Sequence, residues 1–330
     1  MERTTPDYNI RFKLNQLRKI TEKDRFWQGT TLTLFATLIA TQTFDISITP
    51  KSWLSKSIST VKTGTTIQQN EPTLTSPDTT LLSSAVLPAE GVTLPISWGD
   101  LGKRMIVDGV IDEQKFRPLF ENGLSAEEEQ LLSGNSDQPI VLNLQNSRYL
   151  LDLLWAFGLS NKNEILDTGE MTDPQYGGTG GFASTGGWSL AVGAGNDHYS
   201  KHTYVTLTTE QQALVDKASR GIFRPCCGNS THFPDCNHGM AMLGLLELMA
   251  KNGVGEQDMY RVALKVNSFW FPQTYLDLAT YFEEQGTSWE HIDAKTVLGS
   301  SYSSSQGYQQ TRENIKSLPK PAQGGGGCGA

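Results

Sequence analysis

"CNHGMAMLGLLELMAKNG", residues 236–253, decides how this chain is read. The run is strongly apolar, has helix-forming leucine, methionine and alanine throughout, and stops near Gly253. A helix apolar on nearly every side must be covered by others, so it predicts the core of a mainly α domain. Asp235 is read as its N-cap, which places Cys236 and His238 in the first turn. There the free amides and the positive end of the dipole favour a thiolate, the form that binds metals and attacks disulfides. Glu247 is the one acid in the run; a helical carboxylate facing solvent is the commoner arrangement, and burial would raise its pKa.

Immediately upstream the chemistry is dense. "FRPCCGNSTHFPDCNHGMAM", residues 223–242, holds three of the four cysteines, Cys226, Cys227 and Cys236, with His232, His238, Met240 and Met242. Cys226 and Cys227 sit on a loop braked by Pro225 and Gly228, and the eight residues between Cys227 and Cys236 are enough to bring the two ends together. Three readings stay open. The cluster binds a thiophilic ion, zinc if cysteine combines with histidine, copper(I) if it combines with methionine. Alternatively Cys236 is bridged to Cys226 or Cys227 as a staple, or one thiol is redox-active. Only one of Met240 and Met242 can share a helix face with Cys236.

Residues 171–202, "MTDPQYGGTGGFASTGGWSLAVGAGNDHYSKH", read as a long glycine-rich loop packed by Tyr176, Phe182 and Trp188. No Gly-Lys-Ser/Thr follows, so it is not a phosphate cradle. It ends with His198 and His202, which can complete the metal site with Asp197 as ligand or orienter. His291 has no chemical neighbours in sequence and reads as structural.

Around these lie further helical signals: Ser97 as N-cap before "WGDLGKRMIVDGVI", a capping box of Ser125 with Glu128, and "NSRYLLDLLWAFGL" with Gly158 as its stop. "TTEQQALVDKASRG" has a threonine cap and ends at Gly221, and "GEQDMYRVALKVNSFWF" and "QTYLDLATYFEEQG" meet at Pro272. Strand signals are confined to "PIVLNL" and "TYVTL".

The N-terminal part has another character. Residues 1–25 carry a net charge of +3, against −11 for the rest of a chain of 330 residues. Residues 26–44, "FWQGTTLTLFATLIATQTF", hold no charge over nineteen positions, close to the roughly 20 that span a bilayer. Threonine hydroxyls can bond back to the helix, so such a span is affordable, and the basic head would stay cytoplasmic. A cleaved signal peptide shares the compartment; a buried core helix is the other alternative. Residues 45–96, rich in Ser, Thr and Pro, read as a disordered linker, 97–317 as the compact helical Cys/His domain, and 318–330 as a flexible glycine tail bearing Cys328, an additional candidate ligand. The acidity of the outer part argues against nucleic acid as a partner.

The stretch from Cys226 to Met249, with "NDHYSKH" before it and the glycine-cysteine tail after it, resembles bacterial membrane-anchored proteins without an assigned function. More distantly it is similar to the PCYCGC-motif proteins, at Pro225, Cys226, Cys227, Gly228, His238 and Gly239; the second half of that motif's cysteines is missing. The resemblance implies an exported Cys/His protein and no particular reaction. The expectation is therefore a single-span protein whose outer domain handles or senses copper or zinc through Cys226, Cys227, His232, Cys236 and His238, with His198 and His202 closing over them. A zinc hydrolase using Asp197, Asp235 or Glu247 as general base, a thiol–disulfide protein, and a structural envelope protein stapled by disulfides are the alternatives.

Overall fold

The apolar run does form a helix and does lie at the centre. A computed structural model describes residues 79–319, and these belong to one unit. The basic head, the uncharged stretch 26–44, most of the proposed linker and Cys328 lie outside the described residues. Among the described residues no helix is long and apolar enough to cross a membrane.

In chain order the helices are α1 (Thr79–Val86), α2 (Leu101–Val107), α3 (Glu113–Phe116), α4 (Ala126–Ser133), α5 (Ser147–Ser160), α6 (Glu164–Thr168) and α7 (Thr209–Arg220). They continue with α8 (Asn237–Lys251), α9 (Glu256–Trp270), α10 (Pro272–Glu284), α11 (Ala294–Leu298), α12 (Ser300–Ser303) and α13 (Ser305–Arg312). Two short strands, β1 (Val92–Leu94) and β2 (Ile140–Leu142), pair antiparallel with Val92 opposite Leu142. The fold is thus mainly α, as expected.

Its spine is α5 laid against α8, the most extensive helix contact, with α7 on another side of α8. Every residue of α8 from Asn237 to Ala250 is buried. Gly158 sits inside α5 rather than ending it, because its missing side chain is what lets the helices touch. A Cβ there would fall 2.2 Å from the Met240 carbonyl oxygen, and one at Gly244 would fall 2.8 Å from that of Leu154. Backbone cannot retreat as a flexible side chain can, so Gly158→Ala is expected to destabilise the fold by about 1–3 kcal/mol despite alanine's better helix propensity. Urea unfolding measures this, and unchanged stability would show that the helices can part at no cost.

The caps behave as their residues dictate. Ser125 and Glu128 bond reciprocally at the start of α4, and Thr208 and Gln211 do so at the start of α7. Ser97 does not cap: α2 begins four residues later after Asp100, and the Ser97 hydroxyl donates to Asn252 Oδ1 at 2.8 Å.

One boundary and one strand are corrected. The folded part begins by residue 79, not near 97: Leu82 and Val86 of α1 are buried, and β1 supplies Val92 and Leu94 to the core. An eight-residue helix and a three-residue strand are too short to display a period among threonines and prolines. "TYVTL", 203–207, is not a strand. The Asn161 side chain binds it instead, its Oδ1 accepting from the amides of Tyr204 (3.0 Å) and Val205 (2.9 Å).

Candidate metal centre

α7 hands the chain to a tight excursion, residues 222–236, that returns to start α8. Phe223 bridges Ser230 across this loop, and the Thr231 amide donates to the Ile222 carbonyl at 2.7 Å. The tip so formed carries Cys226 and Cys227 back towards Cys236. Cys236 itself is the N-cap of α8, with extended backbone; Asn237 and His238 are the first helical residues. The helix therefore starts one residue later than Asp235 as N-cap would have it, and the reason lies in what Asp235 does.

Asp235 is the counter-ion of Arg224, whose guanidinium is buried. All five N–H groups of that guanidinium have acceptors within thirteen residues of chain. Nε donates to Cys236 Sγ at 2.9 Å, Nη1 to the carbonyls of Asn229 (3.2 Å) and Ser230 (2.7 Å), and Nη2 to the Phe233 carbonyl (2.9 Å) and to Asp235 Oδ1. Asn229 Nδ2 donates to the other Asp235 oxygen at 2.8 Å. Room for the guanidinium exists because residue 239 is glycine: a Cβ there would lie 2.5 Å from Arg224 Cζ.

Against this cation the thiols converge. Cys226, Cys227 and Cys236 are free and half-buried, with Cys226 and Cys236 sulphurs 3.5 Å apart and Cys227 Sγ 4.0 Å from Asp235 Oδ1. One donor atom each from Cys226, Cys236 and His238 lie within 4.8 Å of one another, as do those of Cys227, Asp235 and Cys236. These groups can hold a metal ion. Hydrogen bonds from Cys226 and Cys227 hold the Cys236 thiol well below the usual cysteine range, with the Arg224 charge adding to them. Cys226 is pushed up by its bonds to Cys227 and Cys236 and by burial.

His238 is 1 % exposed, its ring against Phe271 and Trp270 at centroid distances of 4.4 and 5.7 Å. Neither ring nitrogen has a well-formed hydrogen bond; the polar group the ring does influence is the Cys236 thiol, which it helps to hold down. An imidazole is seldom buried with both nitrogens idle, because each unpaired polar group costs about 1–3 kcal/mol.

The remaining candidates lie in other groupings. His232 is clamped between Glu170 Oε1 (3.0 Å, Nδ1) and Asp216 Oδ1 (2.9 Å, Nε2), beside Arg220, on the wall of a cleft of about 790 Å³ that no cysteine lines. His198 Nδ1 and His202 Nε2 are 3.1 Å apart, and His202 Nδ1 is 3.6 Å from Asp108 Oδ2. Burial holds His202 below its ordinary range. Asp197 accepts from the Ala194 amide within its own turn. Met240 and Met242 are core side chains, 0 and 1 % exposed.

The glycine-rich loop reaches the centre by a different part than its histidines. Its Ser184 amide donates to the Asp235 carbonyl at 3.0 Å, and Tyr176 and Phe182 pack on Phe233, just before the cysteine. From the C-terminal side, the Ser305 amide donates to the Cys227 carbonyl at 2.9 Å. Glu247 is fully buried in α8 and accepts from Asn161 Nδ2 at 2.6 Å; burial pushes its carboxyl up to about 8. The solvent-facing expectation fails because α5 and the 203–207 segment cover that face. Eleven residues past Cys236, about 16 Å along the helix, it is no base for a metal at the cysteines.

Sequence reasoning missed Arg224, Asn229 and the counter-ion role of Asp235. The available signal was an arginine directly before Pro-Cys-Cys and a glycine one turn into the next helix. No protein-family model, curated protein or solved structure matches this chain.

Proposed function

We propose that Cys226, Cys236 and His238 bind a thiophilic metal ion, zinc or copper(I), with Cys227 beside them against Asp235, and that the protein handles or senses that ion from an anchored position outside a membrane. The observation that carries the reading is His238, a buried imidazole with no well-formed hydrogen bond and with two sulphurs within 4.8 Å of its donor atom. A metal supplies the missing partner.

Charge and distance favour zinc of the two ions. Arg224 and Asp235 neutralise each other, so two thiolates and an imidazole balance a divalent ion in a half-buried site. At a metal–sulphur distance of about 2.3 Å, tetrahedral coordination separates two sulphurs by about 3.8 Å and a linear one by about 4.6 Å. The 3.5 Å between Cys226 and Cys236 lies near the tetrahedral edge. Handling is favoured over turnover because the one carboxylate at the cluster, Asp235, is already engaged by Arg224 and Asn229. The uncharged stretch 26–44 and the basic head support the anchored, outward placement.

The test is elemental analysis with a parallel free-thiol count on the full chain, purified from its native compartment without added metal. A fragment beginning at 97 would lack α1 and β1. Near-stoichiometric zinc or copper with protected thiols is expected, and Cys236→Ala or His238→Ala should weaken binding by more than about 100-fold, beyond what loss of an outer partner costs. His198→Ala with His202→Ala should leave affinity unchanged. Metal-free wild type in which Cys226, Cys227 and Cys236 are all reactive would sink the reading.

A further inference from the structure

The three thiols are not equivalent. Consecutive Cα atoms lie about 3.8 Å apart, below the roughly 4.4–6.8 Å that a disulfide spans, which disfavours a Cys226–Cys227 bridge. Cys227 is turned towards the Asp235 carboxylate, an unfavourable neighbour for a thiolate. Cys236 is fixed by a charge-assisted bond from a guanidinium that four further hydrogen bonds hold in place. Cys226, by contrast, is tethered only by its thiol neighbours and stands 3.5 Å from Cys236 Sγ. The arrangement is one anchored sulphur, Cys236, with a second, Cys226, in reach of it and held only through its thiol neighbours.

We infer that Cys226 and Cys236 are also a dithiol–disulfide couple that gates the metal site, oxidised by a low-molecular-weight disulfide; the gating rests on the metal-binding reading above. Cys236 thiolate attacks one sulphur of RS–SR, the S–S bond breaks, and RS⁻ leaves and takes up a proton. The Cys226 sulphur then attacks Cys236 Sγ, its proton passing to solvent, and expels the second RS⁻. The Cys236 thiolate and the Cys226 thiol together lose two electrons and one proton, and the two RS⁻ take up that proton and one from solvent to become two thiols. Sulphurs bonded to each other are no longer thiolate ligands, so a metal held by Cys226, Cys236 and His238 is released. Cys227 stays reduced throughout. Conversely, bound metal occupies both sulphurs and protects them from attack.

The experiment places the full chain, metal-free in one arm and zinc-loaded in the other, in mixtures of oxidised and reduced glutathione. Disulfides are mapped by alkylation and peptide mass, and zinc release is followed with a chromogenic chelator. A single Cys226–Cys236 bridge in the metal-free arm, loss of zinc in step with the same bridge in the loaded arm, and slower bridging there are expected. In Cys226→Ser, a persistent glutathione adduct on Cys236 should accumulate, because the resolving sulphur is gone. A bridge or adduct involving Cys227 overturns the assignment. Zinc bound with no bridge forming, or zinc retained after the bridge forms, overturns the gate and leaves the metal reading standing. A bridge in a chain that takes up no zinc when reduced overturns the proposed function, and the gate with it.

Discussion

Arg224→Met is expected to destabilise the protein by about 3–5 kcal/mol, the range seen when one partner of a buried ion pair is removed. Five acceptors lose their donor at once, and Asp235 is left charged at the start of α8 with Asn229 and the weak Cys227 thiol to answer it. Arg224→Lys should recover only part of the loss, since an ammonium offers three donors and not a planar fork of five. Gly239→Ala should mimic the defect from the other side, its new methyl occupying the place of the guanidinium. Urea unfolding of the metal-free protein gives the stabilities. The lysine variant, if folded, allows a second readout. With the charge less well placed, the Cys236 thiol should titrate higher than in wild type and alkylate more slowly at neutral pH. A methionine variant within about 0.5 kcal/mol of wild type, the range of an ordinary surface change, would show that the loop does not depend on the cation.

The second large effect is in the pH dependence of stability. Folded Glu247 keeps its proton up to about pH 8, whereas its ordinary value is 4.5. Between those values the folded state binds more protons than the unfolded one, so stability is highest below the ordinary value and falls as pH rises through the window. Asp152, buried in α5 and pushed up to about 7 by that burial, adds a loss in the same direction. The Glu247 shift corresponds to about 5 kcal/mol at most. Glu247→Gln removes the charge and can keep an acceptor for Asn161, so it should match wild type near pH 5 and exceed it by several kcal/mol near pH 8.5. Denaturation midpoints of the metal-free protein across that range decide the matter. Equal slopes for the two proteins would show that the carboxyl does not hold its proton in the fold.

How much of this was legible depended on the range of the interactions involved. The α8 run, the capping box at Ser125, the threonine cap at Thr208 and the pair of helices meeting at Pro272 are written in neighbouring residues, and each formed within a residue of where its pattern lies. Gly158 shows where such reading stops. A glycine near the end of an apolar run looks like a terminator, but here it answers a carbonyl on a helix more than eighty residues away in sequence. The same holds for Glu247, whose burial follows from what α5 and the 203–207 segment cover. At the candidate centre the density of cysteine and histidine drew attention to a loop whose three sulphurs do converge. It could not sort the histidines: His238 stands with the sulphurs, while His232, His198 and His202 are spoken for by carboxylates and by each other. Arg224 was invisible because ligand patterns are searched by donor type, and a guanidinium is never a ligand.

The partners of Arg224 all lie between residues 229 and 236, and this bears on the order in which the molecule comes together. Closing a loop of about ten residues takes on the order of 10–100 ns and little entropy, whereas α5 must find α8 across a far longer span of chain. The cysteines are thus brought into register by contacts that need no core. A chain still extended elsewhere can already present its thiols as a set, and an ion met at that stage would find its ligands gathered before the helices that later enclose them have packed.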